Sequence, residues 1–323
     1  MKNDNSSELL KIICDAKKIA VIGHKDSDGD FYGSAFGLKL GLEKIGKKVK
    51  ILSNENLPEA LEFLYFYYNG DTSADFVADI DLLIILDTSD KIRTTLPDFV
   101  DKYKESKIKI LLIDHHTQGD LANIADLSLI EPKSCSVSEM IFNILEELNI
   151  ELDKNIATCL LTGIETDTSS FQNQNTTKEC FFVASRLMAK GARLKTIINN
   201  TFGGKPVDML KIWGLAIDRV YFHKKYNTVI SYLGYDDIKK YGISGEALSG
   251  IANFLNSIKG AKMFVFLTEE EKGFIRVSLR TRDDKIDVSS LAKILGGGGH
   301  MKASGFSFSG YLRVCNEDSA TIE

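Results

Sequence analysis

The 323-residue sequence predicts an α/β protein of two domains: a parallel-sheet domain with helices on both faces, then a smaller mixed-sheet α/β domain. Three observations carry that prediction. Continuous apolar runs at 19–22, 82–86 and 110–113 have no alternation, as expected of strands covered on both faces. Helical patterns separate those runs, which is the order of βαβ units. Beyond about residue 192 the pattern changes, first to connecting helices and from about residue 226 to strands, as in the alternating Phe274-Ile275-Arg276-Val277-Ser278-Leu279-Arg280.

The elements follow in order. A short helix is expected over 6–17, with Leu9, Leu10 and Ile13 on one face. The strand at 18–22 runs into the polar loop Gly23-His24-Lys25-Asp26-Ser27-Asp28-Gly29-Asp30. A helix is expected from near Tyr32 to near Gly46, then a strand over 49–52. The segment 58–68 has helical spacing through Leu61, Leu64 and Tyr65. The strand at 81–86 ends in Asp87-Thr88-Ser89-Asp90, and the next ends in Asp114-His115-His116. Ser136 and Glu139 have capping-box spacing before a helix carrying Met140, Ile141, Ile144 and Leu145; Thr176 and Glu179 repeat it. Between these two helices an apolar segment, 157–164, leads to Asp167. Lys190-Gly191 is a helix stop. These signals divide the chain into 1–190, a helical connector at 191–225 and a second domain at 226–323, whose last dozen residues read as loose.

Composition bounds the function. With 44% hydrophobic and 26% charged residues and a net charge of −5, the chain suits a protein with a real core. It does not suit a face that grips long duplex nucleic acid, which needs many Lys and Arg. No segment reaches transmembrane length and no signal-peptide core is present, so a cytoplasmic protein without membrane attachment is expected. Five cysteines without a CxxC read as buried free thiols.

The chemistry lies where apolar segments stop at Asp or His. In a parallel sheet the carboxyl ends of the strands lie together, and ligands bind there. His24, Asp28, Asp30, Asp87, Asp114, His115 and Asp167 can therefore converge. Taken singly, the His24–Asp30 loop could be a surface turn or a calcium-type loop, and Asp87 a strand-end turn. Together, so many carboxylates would repel one another unless divalent cations neutralised them. Mostly oxygen donors with one or two imidazoles suit Mn²⁺, with Mg²⁺ as the alternative, better than a thiolate zinc site. Seven candidate ligands suit two ions, which together clamp a phosphoryl group and supply a nucleophile.

These motifs resemble those of the DHH/DHHA1 phosphoesterase family. Gly23-His24-x-x-Ser27-Asp28-Gly29-Asp30-x-x-Gly33-Ser34 is similar to its first motif, Asp87-Thr88-Ser89-Asp90 to its second and Asp114-His115-His116 to its signature. Gly163-Ile164-x-Thr166-Asp167-Thr168 is similar to its fourth. In the second domain Val277-Ser278-Leu279-Arg280 and Gly296-Gly297-Gly298-Gly299-His300-x-x-Ala303-Ser304-Gly305 resemble the DHHA1 pattern. Ser27 stands where the family has Pro, and Phe31 where it has a small residue.

The resemblance implies a DHH domain and a DHHA1 domain facing each other across a cleft. It also implies one Mn²⁺ on His24, Asp28 and Asp87 and another on Asp30, Asp87, His115 and Asp167. Asp114 would support the His115 imidazole, and His116 would face the substrate phosphate or stay behind the ligands. Arg280, Gly297, Gly298, Gly299 and His300, with Arg276 as a further candidate, would hold the substrate. That substrate would be a short RNA or DNA oligonucleotide or a small nucleotide. Family members of this length and layout are the nanoRNase/pAp phosphatases, with cyclic-di-AMP phosphodiesterases as the alternative. A nucleotide sensor without catalysis is the reading from a different class, and a homodimer is one assembly open to such a chain.

Overall fold

The computed structural model describes residues 4–67, 80–106, 108–117, 119–201, 203, 207–243, 245–256, 258–316 and 319–322. Two compact units divide between Gly204 and Lys205. Residues 191–225 contribute to both.

The first unit opens with α1 (Asp4–Asp15), β1 (Lys18–Ile22), α2 (Gly29–Lys44) and β2 (Lys48–Ile51). A 3₁₀ helix (Glu59–Tyr67), β3 (Leu82–Leu86), α3 (Pro97–Glu105), β4 (Lys109–Asp114), α4 (Leu121–Ile124) and β5 (Leu127–Ile130) follow. The unit closes with α5 (Val137–Glu147), α6 (Lys154–Asp167), α7 (Lys178–Ala189) and α8 (Leu194–Thr201). Tyr68 lies outside the described residues. The five strands pair in parallel in the order β2-β1-β3-β4-β5. Strand order therefore reverses between β1 and β3, the place where open α/β sheets bind ligands.

All five residues of β3 are buried, which fixes it as a central strand. Alternate side chains of β1, β3 and β4 feed two cores. Ile19, Val21, Ile84 and Ile113 pack with the α2, α5, α6 and α7 side, and Ala20, Ile22, Ile85 and Leu112 with the α3 and α4 side. Helices thus cover both faces, as the unbroken apolar runs require.

α2 is buried almost throughout and begins at Gly29, three residues earlier than periodicity suggested, because Asp28 is its N-cap. Gly29, Gly33, Gly37 and Gly41 recur every fourth residue along it. A Cβ at Gly33 would stand 2.6 Å from the Cys159 carbonyl and 2.7 Å from the Gly163 nitrogen. The glycine row therefore lets α2 lie almost backbone to backbone on α6. The segment ending at Asp167 is this helix and not a strand. At α7 the cap is Thr177, one residue beyond the predicted Thr176, with its hydroxyl accepting from the Cys180 N–H. Gly191, at φ +90°, ends that helix as expected.

The second unit contains α9 (Val207–Asp218), β6 (Tyr221–His223), β7 (Thr228–Leu233), α10 (Tyr235–Tyr241) and α11 (Gly245–Leu255). β8 (Met263–Glu271), β9 (Phe274–Arg280), α12 (Val288–Ile294), β10 (Gly298–His300), β11 (Ala303–Ser309), β12 (Leu312–Asn316) and β13 (Ser319–Ile322) complete it. Its mixed sheet has the order β10-β11-β9-β8-β7-β6, with β7 and β8 parallel and the other neighbours antiparallel. The final residues, expected to be loose, form the antiparallel pair β12–β13. No helix among the described residues is long and apolar enough to cross a membrane. Cys135, Cys159 and Cys180 are buried free thiols, whereas Cys14 is an exposed one.

Candidate metal centre

β1 runs out at Gly23 and delivers His24 to the rim of the sheet. The loop is pinned from both sides. Thr95 N–H donates to the Gly23 carbonyl (2.8 Å) and Lys25 N–H to the Arg93 carbonyl (2.7 Å). His24 Nδ1 meets the Lys25 carbonyl at 2.8 Å, so Nδ1 carries a proton and Nε2 turns to the acids. Nε2 lies 3.7 Å from Asp28 Oδ1 and 3.5 Å from Asp87 Oδ2.

Ser27, in the family's proline position, holds the turn by other means. Its hydroxyl donates to the His24 carbonyl at 2.5 Å. The backbone N–H groups of Asp26 and Ser27 both donate to the Glu55 carboxylate, at 3.0 and 3.2 Å. A proline at 27 has no N–H to give. Phe31, the second departure, is fully buried against the imidazole of His24, ring centroids 6.2 Å apart. Its ring fills the space where a Gly23 side chain would stand.

Asp87 ends β3 in the left-handed region, φ +58°. Such a conformation costs a non-glycine residue about 1–3 kcal/mol and persists where the surroundings over-determine it. Here the Asp87 N–H donates to the Ile113 carbonyl of β4 (3.1 Å), which aims the buried side chain between β1 and β4. Oδ2 faces His24, while Oδ1 lies 3.7 Å from His115 Nε2 and 3.5 Å from His116 Nδ1. Oδ1 is buried without a hydrogen-bond partner.

The Asp114-His115-His116 stretch divides its labour differently from expectation. Asp114 Oδ1 accepts from the Nδ1 (2.7 Å) and backbone N–H (3.1 Å) of His116, so the imidazole it holds is His116, not His115. His115 is instead oriented by the Ser134 carbonyl, 3.3 Å from its Nδ1. The reason is local: Asp114 is still in the strand, and the residue two places on turns back over its carboxylate. Asp167 arrives at the end of α6 with Oδ2 3.8 Å from His115 Nε2. Asp30 points its carboxylate at the start of α5, accepting from the N–H groups of Val137 (2.6 Å) and Ser138 (2.9 Å). The Ser136–Glu139 box is half formed: Ser136 accepts from the Glu139 N–H, but the Glu139 carboxylate accepts from Cys135.

Two groups of donor atoms emerge among the described residues, His24–Asp28–Asp87 and Asp87–His115–His116, each with its atoms within 4.8 Å of one another. Asp87 is common to both. The separations of 3.5–3.8 Å are too long for hydrogen bonds. They approach those of ligand atoms around one cation at about 2.0–2.2 Å. The electrostatics agree. Burial, then the nearby Asp87 charge, raises Asp30 to about 7. Burial and the Asp30, Asp28 and Asp87 carboxylates push Asp167 well above its usual range. Burial opposes charge on His24, yet Asp28 and Asp87 outweigh it and lift the imidazole to about 11. Burial likewise opposes charge on His115 and His116, but the surrounding carboxylates raise both. Packed together, these carboxylates and imidazoles favour bound positive charge, and the donor set fits divalent cations.

In the second unit, Arg276, Ser278 and Arg280 share the more open face of β9, whose alternate residues are buried. Register sets His300, Ala303 and Arg280 in one row across β10, β11 and β9. Gly297 and Gly299 are required by the close approach of β11. A Cβ would meet the Gly305 carbonyl at 2.1 Å in one case and the Ala303 carbonyl at 2.6 Å in the other. The Gly297 N–H is committed to the Ala292 carbonyl (2.8 Å), and Gly298 is open. Burial and the neighbouring Arg276 lower the Arg280 pKa.

The DHH family N-terminal domain model matches residues 18–164 and the DHHA1 domain model residues 225–318, together most of the chain. The chain belongs to the DHH/DHHA1 family. Among curated relatives of this DHH/DHHA1 chain is the "Bifunctional oligoribonuclease and PAP phosphatase NrnA" of Thermus thermophilus. It is 28% identical over 94% of this chain and 87% of its own length. The cyclic-di-AMP phosphodiesterase GdpP of Bacillus subtilis is 26% identical over 94% of this chain, which spans 47% of that protein. The crystal structure of an exopolyphosphatase-related protein from Bacteroides fragilis superposes with a TM-score of 0.83 at 26% identity. It covers 94% of this chain and 91% of its own.

Proposed function

We propose that this DHH-family hydrolase is a two-metal phosphoesterase. It cleaves very short oligonucleotides, including dinucleotides such as pApA, to nucleoside 5′-monophosphates, and it removes the 3′-phosphate of pAp. The observation that carries the reading is the position of Asp87, a buried carboxylate shared by two groups of metal-ligand atoms at the switch point of the sheet. The substrate class rests on a relative that this chain matches over most of both lengths.

His24, Asp28 and Asp87 would hold one divalent ion; the other is assigned, by the family resemblance, to Asp30, Asp87, His115 and Asp167, while the donor group around Asp87 Oδ1 consists of His115 and His116. Mn²⁺ is assigned from the mixed oxygen and imidazole donors, with Mg²⁺ as the alternative. Bound there, the ions supply charge neutralisation and water activation. Asp87 fixes the spacing of the two ion sites, since its two oxygens face opposite ways. His116, held through Nδ1 by Asp114, orients on the substrate phosphate. Arg280, Arg276 and the Gly297–His300 strand hold a second phosphate of the substrate, with Arg280 offering forked donors. The chemistry is thus assigned to 1–190 and substrate holding to 226–323, joined by 191–225.

The test is purified protein with Mn²⁺ against very short RNA, pApA, pAp and cyclic-di-AMP. Monophosphate release from short RNA and pApA is expected; no turnover of either sinks the reading. Turnover of cyclic-di-AMP alone establishes the phosphodiesterase alternative that the GdpP similarity favours. Tight nucleotide binding without turnover establishes a sensor.

A further inference from the structure

Asp167 is the candidate ligand with the least obvious means of support. It sits at the last turn of α6, partly exposed, and the chain beyond it leaves in an unusual way. Ser169, Ser170 and Phe171 all have positive φ, at 48°, 57° and 63°. Three consecutive non-glycine residues in the left-handed region form a costly turn. It is held in place. Ser170 N–H donates to the Glu165 carbonyl at 2.8 Å, Phe171 N–H to the Thr168 hydroxyl at 3.1 Å, and the Phe171 ring stacks on Phe181 at 5.3 Å. The turn folds residues 173–175 back over Asp167.

Asn175 is where the returning chain meets the centre. Its side-chain nitrogen is 3.0 Å from Asp167 Oδ2, 3.3 Å from the Asp167 carbonyl and 2.9 Å from the Cys135 carbonyl. Three oxygens converge on one amide terminus, which requires the NH₂ group there and not the amide oxygen. The Cys135 end of this contact matters. The short stretch 134–138 supports two of the other His115-side ligands: the Ser134 carbonyl orients His115, and the Val137 and Ser138 N–H groups hold Asp30. Asn175 thereby connects Asp167, which comes from a different helix, to the stretch that already positions His115 and Asp30.

We propose that Asn175 is a positioning residue. It sets the Asp167 carboxylate against His115 by tying it to the 134–138 stretch. This rests on the metal-centre reading above and adds a residue that none of the four sequence motifs contains. Removal of a partner that orients a metal-ligating carboxylate weakens metal affinity by about 10–100-fold.

The experiment titrates Mn²⁺ into the metal-free full chain without substrate, following free Mn²⁺ by electron paramagnetic resonance. Wild type, Asn175→Asp and Asn175→Ala are compared, with thermal unfolding in parallel. Asn175→Asp keeps the volume and removes the donor, which covers the case of an Asn175→Ala variant that fails to fold. One of the two Mn²⁺ sites is expected to weaken at least about tenfold in the folded variants. Their kcat should fall while KM holds, and excess Mn²⁺ should restore kcat, a rescue that a purely structural defect would not show. Gln172→Ala, an exposed neighbour, is the control with unchanged affinity. Folded Asn175 variants that bind two Mn²⁺ as wild type does overturn the role of Asn175 and leave the metal centre standing. Wild type that binds no Mn²⁺ overturns both.

Discussion

Replacing Gly23 by alanine places a methyl group 2.1 Å from Cδ2 and 2.2 Å from Cε2 of Phe31. No real Cβ contact is that short, and the Phe31 ring is fully buried with no free volume to enter. Overpacking of this kind costs about 1–3 kcal/mol. Phe31→Ala fails in the opposite sense: it empties the same space, for about 3–5 kcal/mol. The double variant returns a methyl group to the vacated site. It should therefore be no less stable than Phe31→Ala alone, giving a favourable coupling of about 1 kcal/mol or more. Differential scanning calorimetry of the four proteins reads this directly, since 1 kcal/mol shifts the Tm of a unit this size by about 2–4 °C. Destabilisations that simply add would refute the idea that Phe31 and Gly23 are matched. The metal centre gives a second readout, because Phe31 packs on the His24 imidazole: Mn²⁺ affinity in the double variant should exceed that of Gly23→Ala.

Asp87→Ala should abolish turnover and leave at most one weak Mn²⁺ site; retention of two sites by equilibrium dialysis would contradict a shared ligand. Glu55→Ala frees the N–H groups of Asp26 and Ser27 and should weaken Mn²⁺ binding about tenfold with little change in Tm; the same titration with unaltered affinity rejects Glu55 as the prop of this loop. Arg280→Ala should raise KM with kcat nearly unchanged, and a fall in kcat alone would move Arg280 out of substrate holding. Mn²⁺ binding would compete with protonation of the groups whose pKa is raised, Asp30 to about 7 and His24 to about 11. Affinity should therefore rise with pH, by up to about tenfold per pH unit for each proton released, and calorimetry in two buffers of different ionisation enthalpy that detects no proton release would reject this.

Legibility followed the range of the forces involved. β1, β3 and β4 could be read directly because strands covered on both faces admit almost no polar residue. β5 leaves no such signal in the sequence: it is an edge strand, half exposed, with Ser128 in its middle. The sequence before Asp167 reads only as an apolar segment because a buried helix and a buried strand look alike over eight residues. His24, Asp87, His115 and Asp167 are legible because each lies at or just beyond the end of an apolar element, whereas Asp28 and Asp30 open α2 and are legible from the loop motif. Their supports are not legible: Ser134 and Glu55 act through a backbone group on residues 19 and 29 places away, and Asn175 joins the Asp167 carboxylate to the Cys135 carbonyl, 8 and 40 places away. The glycine row of α2 was visible in the sequence and is the one signal that could have placed α6 against Asp30.

The order of the strands also sets a clock. His24 and Asp167 enter the chain 143 residues apart, so a ribosome working at about 5–20 residues per second separates them by on the order of ten seconds. Early in that interval the nascent chain carries His24, Asp28 and Asp30 without β4, whose Ile113 carbonyl turns Asp87 toward them, and throughout it lacks the complete α6 that brings Asp167. Tight cation capture requires the parallel sheet to be complete and α6 docked on the glycine face of α2. On the proposed assignment the ions would be acquired late in biogenesis, and metal content measured on freshly made protein would report how much of the first unit has reached its final topology.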